Sequence, residues 1–322
     1  MQKTIFVSCF FNLVVRNILA TDFLKIVCSR GDVRVVLLVP ESSLDFYQRE
    51  FDYPRVVVEG IRRRPLSKIS LLFHLLSWNL LSTQSKKIHR LVQLDKDKSY
   101  ARYIVTSFLA LLGTKGLVRA IFRKLDYWFM PRGGVDYLFR KYQPDLVLAT
   151  DIQDLRVQEL CDTALIREAK RHGIASVGLG RSWDSMTTKG LLRIIPDRLV
   201  VQSLAIKDQA VKYHSIDPRN VAVVGTPHYD KYLIDQRTPR ADFFDKIGLD
   251  SRRKTILLTL PSDIWTGDSA LNQFLLKSFS DLGIQTIVRF PIFGRIDIGG
   301  FSPPPFMVFD NPDNADRLEE SH

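Results

Sequence analysis

The order of apolar and polar positions predicts strands and helices that follow one another from the first residues. Thr4 to Cys9 is rich in β-formers, Leu13 to Arg30 has apolar residues at helical spacing, and Val33 to Val39 is a continuous strand of the buried type in which Arg34 is the one polar residue. A continuous apolar strand is typical of a parallel sheet that is covered on both faces. The N-terminal segment therefore predicts a βαβ unit.

A long helical segment comes next, and the alternation then resumes. Two long helices are predicted at 66–94 and 98–129. Beyond them we expect helices at Val135 to Tyr142 and Leu204 to His214, and strands at Asp145 to Ala149, Ala175 to Leu179, Arg198 to Gln202 and Val221 to Gly225. Strands that alternate with helices over this length favour a doubly wound, mostly parallel sheet.

The polar stretch from Tyr229 to Arg253 is the predicted linker, and a second βαβ unit follows it. Its strands are expected at Thr255 to Leu260 and Gln285 to Phe290, with a helix at Asp268 to Leu282 and a short final strand, MVFD. About seventy residues are fewer than the ~100 that a complete domain usually takes. We therefore expect a first domain at 1–235, with a basic helical insertion at about 60–141, and a linker with a partial second domain at 236–322.

Charge is concentrated in that insertion. The chain has a net charge of +11, whereas residues 60–141 hold seventeen Lys or Arg and four Asp, a net charge of +13. One interpretation is a solvated face. However, the interleaved aromatic and basic residues of LVRAIFRKLDYWFMPR are typical of helices that contact an anionic membrane or a lipid-linked acceptor. Nucleic acid is a less favoured partner, because the basic residues lie on apolar helices and the sequence has no recognised nucleic-acid-binding motif.

The remaining composition favours a folded protein in a reducing compartment, with 45% hydrophobic residues. Cys9, Cys28 and Cys161 are odd in number and widely spaced, which fits neither a disulfide framework nor a zinc site. Asn12 and Arg16 interrupt the first apolar run and disfavour a signal peptide, and no stretch approaches the ~20 apolar residues of a membrane span. We expect a cytoplasmic location, with peripheral contact at the inner face of a membrane.

Candidate site residues are the polar residues at the carboxyl ends of the strands, because ligands bind at that edge of parallel sheets. After the strand DLVLAT, Asp151 is a candidate base or sugar ligand, although a carboxylate there also caps helices. After the strand SVGLG, the loop GRSWDSMTTKG offers a second candidate base, Asp184, together with cations and a stacking aromatic. Its candidate binding residues are Arg181, Ser182, Trp183, Thr187 and Lys189. Substrate contact and simple loop anchoring, with a buried tryptophan, both explain these residue types.

A third loop follows the strand VAVVG. Gly225 allows close approach of the backbone to a ligand, and Thr226, His228 and Asp230 accompany it. The alternative is a turn that opens the linker.

Several kinds of chemistry are disfavoured by what the sequence lacks. None of the histidines has a ligand companion at i+4, so no metal site is expected. There is no G-x-G-x-x-G after the first strand, no Walker lysine loop and no G-x-S-x-G elbow. Hydride transfer, P-loop ATP hydrolysis and α/β-hydrolase chemistry are therefore disfavoured.

Residues 173–230 resemble bacterial GT-B-type proteins of surface polysaccharide synthesis. Those proteins carry an S-W-D-N-x-T-x-K-G-like loop, a P-D-R strand and a strand ending in a G-x-x-x-x-D turn. The matching residues of the loop are Ser182, Trp183, Asp184, Thr187, Lys189 and Gly190, with Ser185 in place of the asparagine. PDRLVV and GTPHYD match the other two elements.

The layout is also similar to that of non-hydrolysing UDP-N-acetylglucosamine 2-epimerases and CDP-glycerol glycerophosphotransferases. The resemblance implies an α/β, GT-B-like fold with a Rossmann-like parallel-sheet first domain on the acceptor side and an incomplete second Rossmann-like domain. It also implies that the 180–190 loop faces an interdomain cleft. The family motif R-P-H-P is matched at Arg289 without its histidine, and the epimerase signature H-x-E-A-G-L-R is absent from residues 176–182.

The expected function is transfer of a sugar or polyol phosphate from a nucleotide-activated donor to a glycan or lipid-linked acceptor of surface polysaccharide synthesis. The donor is a substrate, and no cofactor is expected. Cations, among them Arg289, and helix N-termini would stabilise charge at the donor phosphates, and Asp151 or Asp184 would act as the base. The alternative is a catalytically inactive or truncated GT-B-like protein that acts as a binding or partner subunit.

Overall fold

The computed structural model describes residues 2–11, 15–62, 65, 67–131, 134–153, 162–233, 238–291 and 296–310. They form two compact units, Met1–Lys231 and Tyr232–His322. The boundary expected between residues 235 and 236 lies outside the described ranges, as does Cys161. Both units are α/β, as the sequence pattern predicts.

The first unit is built on a parallel sheet of seven strands among the described residues. Their spatial order is β3 (Val56–Ile61), β2 (Val33–Pro40), β1 (Lys3–Ser8), β4 (Leu146–Ala149), β5 (Ala175–Leu179), β6 (Arg198–Val201) and β7 (Val221–Val223). Every neighbouring pair is parallel. This is the order of a doubly wound Rossmann sheet with one additional strand, which confirms the predicted fold class.

Ten α-helices accompany this sheet in the described ranges. They are α1 (Phe23–Ser29), α2 (Leu44–Glu50), α3 (Lys68–Leu80), α4 (Gln84–Asp97), α5 (Tyr100–Leu112), α6 (Gly116–Phe129), α7 (Asp136–Tyr142), α8 (Asp162–Arg171), α9 (Ser185–Thr188) and α10 (Leu204–His214). One buried cluster packs β1, β2 and β4 against α7 and α8, and a second packs β6 against α8, α9 and α10. The core therefore lies between the sheet and its helices.

The predicted helices at 66–94 and 98–129 were wrong in length, because each is divided into two. The first divides before Thr83, whose hydroxyl accepts a hydrogen bond from the Lys86 N–H at 3.2 Å and caps α4. A threonine at this position satisfies an N–H that would otherwise have no partner at the helix start. The chain therefore turns between α3 and α4.

The second division lies at Gly113, where α5 ends against the last turn of α3. A Cβ at Gly113 would lie 1.8 Å from the Leu80 carbonyl oxygen, so the backbones meet at a distance that only glycine permits. No described helix is, taken alone, long and apolar enough to cross a bilayer; α5 and α6 meet that test only as a pair, with a bend of 100° between them.

Two arginines of the basic insertion point inward and bind the end of α10. The Arg119 guanidinium donates to the Lys212 carbonyl at 3.1 Å, and that of Arg123 donates to the His214 carbonyl at 2.7 Å. Arg123 also donates to the Leu192 carbonyl at 2.9 Å. Cations at a helix C-terminus satisfy its free carbonyls and oppose the helix dipole. Part of the basic charge is therefore structural and not a solvated face.

The same face of α6 carries a fully buried carboxylate, Asp126. Its two oxygens accept from Arg167 of α8 at 2.5 Å and from Arg193 at 2.6 Å. Both guanidiniums are largely buried as well. The three side chains thus form an ionic link between α6, α8 and the segment that follows the 180–190 loop.

His214 links the end of α10 to that same segment. Its Nδ1 accepts from the Leu192 N–H at 3.1 Å, and its Nε2–H donates to the Met186 carbonyl at 2.8 Å. Burial lowers the pKa of His214 to about 3; the Met186 bond opposes this shift, and the nearby Arg123 adds to it. The ring is therefore neutral in the folded protein, with the proton on Nε2.

The second unit contains a smaller parallel sheet. Its elements are α11 (Arg240–Lys246), β8 (Thr255–Thr259), α12 (Asp263–Thr266), α13 (Ala270–Asp281), β9 (Gln285–Arg289) and β10 (Met307–Asp310). The strand order is β10-β9-β8, and a cluster that includes Leu276 and Val288 forms its core. These strands match the first half of a Rossmann sheet, in agreement with the expected partial second domain.

The close approach at Gly113 predicts a strong position dependence of glycine replacement. We expect Gly113→Ala to lower the free energy of unfolding by about 1–3 kcal/mol, because neither backbone can yield without loss of packing. Gly116→Ala is the matched control: a Cβ there has no neighbour within 4 Å. It is expected to be neutral or to stabilise α6 by up to ~1 kcal/mol. Urea unfolding followed by circular dichroism measures both, and equal effects would contradict the packing at Gly113.

His214 predicts a pH dependence of stability. Its folded pKa lies far below the ~6.5 of an unfolded histidine, so the unfolded chain binds the additional proton between these values. The free energy of unfolding should therefore fall as the pH decreases from about 6.5 towards 3, by up to about 1.4 kcal/mol per pH unit from this group.

His214→Ala should cost about 2–4 kcal/mol at neutral pH, because it removes both backbone hydrogen bonds. The difference in the free energy of unfolding between His214→Ala and wild type should then decrease as the pH falls. Lys212→Ala, an exposed change in the same helical turn, should leave the pH slope of the wild type intact. Parallel pH profiles of wild type and His214→Ala would show that the ring is not the titrating group.

Candidate functional site

The strand order reverses direction between β1 and β4, and the loops after these two strands diverge there. Such a switch point at the carboxyl edge is where open parallel sheets bind ligands. Hydroxyl groups hold the two strand ends together: the Thr150 N–H donates to Ser8 Oγ at 2.9 Å, and Thr150 Oγ1 donates to the Ser8 carbonyl at 2.7 Å. This pair, which sequence reasoning missed, fixes the backbone immediately before Asp151.

Asp151 and Arg181, predicted from separate loops, form a buried ion pair at this point. Arg181 Nη1 lies 2.8 Å from Asp151 Oδ2, with 16% and 3% of the two side chains exposed. The Arg181 guanidinium also lies over the Phe11 ring, 4.1 Å from its centroid. The Asp151 N–H donates to Asp162 Oδ2 at 2.5 Å, so a second carboxylate lies beside the pair. The switch point thus holds a guanidinium and two carboxylates largely out of water.

Within the 180–190 loop, most polar side chains bind one another. Asp184 precedes α9 and accepts from the Thr188 hydroxyl at 2.9 Å. Burial raises the pKa of the Asp184 carboxyl, but the hydrogen bonds from Ser182 and Thr188 and the Lys189 charge outweigh it, so the net pKa lies below the ordinary value. Lys189 is nearly buried and its Nζ lies 3.4 Å from Ser185 Oγ. The Asp184 carboxylate is thus occupied by side chains of its own loop and makes no cap hydrogen bond to the backbone of α9. The catalytic assignment of Asp184 stays a prediction.

Trp183 differs from its neighbours because 79% of it is exposed. The loop is anchored on both sides of this residue, and the anchoring interpretation with a buried tryptophan does not apply. The exposed indole follows Arg181 of the buried pair by two residues in the sequence.

The helical insertion supplies the anchors on the far side of the loop. Thr83 donates to the Thr187 carbonyl at 2.7 Å, and the Leu191 N–H donates to the Ser77 carbonyl at 2.8 Å. Gly190 has φ +95°, and a Cβ there would lie 3.2 Å from Ser77 O. Thr187 and Gly190 of the motif thus contact the insertion through their backbone.

The third predicted loop lies at the end of β7. Gly225 has φ +77° with open space beside it, and the Thr226 carbonyl accepts from the Tyr229 N–H at 2.9 Å. The His228 ring lies 5.4 Å from that of Tyr229, and Asp230 is exposed. The described contacts fit a turn, and a ligand role for these residues stays a prediction.

Arg289 belongs to the second unit, at the end of β9. Its Nε lies 3.3 Å from Asp310 Oδ2, and about half of each side chain is exposed. It therefore lies at the carboxyl edge of its own sheet, and its role in binding stays a prediction.

One group in the described ranges has metal-ligand spacing. The ligand atoms of Asp136, Glu168 and His172 lie within 4.8 Å of one another. Arg140 lies 2.5 Å from Asp136, and Arg171 lies 3.2 Å from Glu168. Because both carboxylates are already paired with guanidiniums, the group does not favour a cation.

Known structures share this fold at low sequence identity, while no family model and no curated protein matches the chain. A putative UDP-N-acetylglucosamine 2-epimerase from Listeria monocytogenes aligns with a TM-score of 0.50 and 11% identity, over 97% of this chain and 69% of the other. UDP-GlcNAc 2-epimerase from Neisseria meningitidis bound to UDP-GlcNAc aligns with a TM-score of 0.49 and 10% identity, over 90% of this chain and 66% of the other. The glycotransferase of kitacinnamycin aligns with a TM-score of 0.47 and 11% identity, over 96% of this chain and 71% of the other. The alignment with the Listeria protein and the two parallel sheets give the chain a GT-B-like fold, with a Rossmann-like first unit and a partial second one.

Proposed function

We propose that the chain is a transferase of surface glycan synthesis. It takes a sugar or polyol phosphate from a nucleotide-activated donor and passes it to a hydroxyl of a glycan or lipid-linked acceptor. The observation that carries this proposal is the buried Asp151–Arg181 pair at the switch point of the first sheet. The fold shared with the Listeria protein, which is named for a UDP-sugar, supports nucleotide sugars as the first donors to test.

The pair combines the two groups that such a transfer needs. A guanidinium can exchange a carboxylate for a phosphate oxygen, because both are oxyanions that accept parallel N–H bonds. When Arg181 binds a substrate phosphate, Asp151 loses its partner and becomes a stronger acceptor for a hydroxyl proton. The aromatic face of Trp183 suits stacking against a sugar or a base.

In the proposed reaction, the acceptor hydroxyl oxygen bonds to the anomeric carbon or to the phosphorus of the transferred group. The bond from that atom to the oxygen of the leaving nucleotide breaks, and the hydroxyl proton passes to Asp151. The nucleotide leaves with the bonding electron pair, and its added charge is stabilised by cations such as Arg181.

The test is turnover and binding by the purified chain with CDP- and UDP-linked donors. We expect Asp151→Asn to lower turnover about 10²- to 10⁴-fold with donor affinity nearly unchanged, because a general base is lost. Arg181→Met should weaken binding about tenfold or more, because it removes a charge-assisted phosphate contact. Asp208→Asn, an exposed carboxylate on α10, is the matched control and should behave as wild type.

Each single change leaves a buried charge without its partner, which can lower stability by about 3–5 kcal/mol. Thermal melts therefore accompany the assays, and the double change Asp151→Asn with Arg181→Met removes both charges together. A folded double variant that retains wild-type turnover would sink the proposed site. Donor binding without turnover by the wild type would favour the non-catalytic binding subunit.

A further inference from the structure

Helix α6 buries charged side chains on its inward face, beside the buried Phe122, and leaves a stripe of apolar side chains exposed. Its inward face carries Arg119, Arg123 and Asp126, all bonded to the rest of the first unit. Its outward positions follow helical spacing and are apolar: Leu117, Ile121, Leu125 and Trp128, of which Leu117 is 73% and Trp128 65% exposed. A contiguous stripe of exposed apolar side chains on one helix is the kind of surface that marks an interaction site.

Helix α5 repeats this outward stripe. Tyr100, Ile104, Phe108 and Leu111 have the same four-four-three spacing and are all exposed. The opposite side of α5 packs on α3 and α4. Two consecutive helices, joined by three residues, thus present apolar faces that no described side chain covers.

The exposed charge of α6 and of the connection before it has one sign, whereas at the start of α5 Arg102 is paired with Asp97 of α4 at 2.7 Å. Between Lys98 and Pro131 the sequence contains one carboxylate, Asp126, and that residue is fully buried. Lys115, in the connection, and Lys124, on α6, are exposed, and Lys124 Nζ lies 5.0 Å from the centre of the Trp128 ring. Lysine beside tryptophan at the border of an apolar stripe is the combination found at the interface of a bilayer.

We propose that α5 and α6 form a docking surface for a lipid bilayer that contains anionic lipids. The apolar stripes would enter the headgroup boundary, and the lysines would bind lipid phosphates. A second copy of this face is less suitable, because two-fold pairing would bring the same uncompensated cations together. Nucleic acid would leave the exposed leucines, isoleucines and tryptophan in water. This inference does not depend on the proposed transfer reaction.

The test is sedimentation of the full chain with vesicles of phosphatidylcholine, with and without about 30% phosphatidylserine. We expect binding to the anionic vesicles that weakens as salt rises from ~0.1 to ~0.5 M. Ile121→Ser with Trp128→Ala should reduce partitioning about tenfold or more, because it removes apolar area from the stripe. Lys115→Glu with Lys124→Glu should have an effect of similar size through charge.

Matched controls use exposed residues elsewhere on the first unit. Leu204→Ser removes an exposed leucine of α10, and Lys212→Glu reverses an exposed lysine of the same helix. Both should bind vesicles as wild type does. Equal binding by the α6 variants would overturn the proposal, and so would binding that ignores the anionic lipid. A wild-type dimer that Ile121→Ser with Trp128→Ala converts to a monomer would assign the face to self-association instead.

The two proposals can fail separately. Trp183→Ala should impair donor binding and leave vesicle binding unchanged. Trp128→Ala should impair vesicle binding and leave donor binding unchanged, as measured without detergent and with a soluble acceptor. Both tryptophans are exposed, so neither change opens a cavity in the core.

Discussion

The arrangement of the first unit depends on the buried ion pairs that the Asp126 carboxylate makes with two arginines. The carboxylate joins three parts of the chain that are distant in sequence: α6, Arg167 on α8 and Arg193 after the site loop. Burying three charges is costly, and the attraction among them offsets this cost only while the geometry is maintained. We therefore infer that these ion pairs mainly select one position of the insertion on the first unit and add little to the net free energy of unfolding.

The position of the insertion in turn determines the shape of the site loop. The loop is held by α3 and α4 through Ser77 and Thr83, and by α10 through His214. With both flanks fixed, the polar residues of the motif bond to one another, and Trp183 is left outside. A loop whose backbone is already ordered loses little further entropy when it binds a ligand, which is the benefit of preorganisation.

The strands of the first unit could be predicted from the sequence, whereas the helix ends and the inward charges could not, because they depend on contacts between distant parts of the chain. Apolar runs such as Val35 to Val39 favour burial on both faces, so the strands and their parallel pairing could be predicted from the local pattern. The helix breaks depended on contacts made elsewhere: Gly113 matters because Leu80 lies against it. Likewise, nothing in the local sequence shows that Arg119 is buried and Lys124 exposed, because this difference depends on which side of α6 packs against α10.

That last contrast explains why a segment with so much positive charge can also be so apolar on its surface. The inward face of α6 buries Phe122 against Phe73 of α3 and, on the same side, Arg119, Arg123 and Asp126. Carbonyl groups at the end of α10 and the Asp126 carboxylate provide the polar environment that the inward arginines need. The apolar residues are consequently turned outward. The inward ionic network holds the insertion in place, and because exposed hydrocarbon of this extent is unfavourable in water, the outer face is expected to meet an apolar partner.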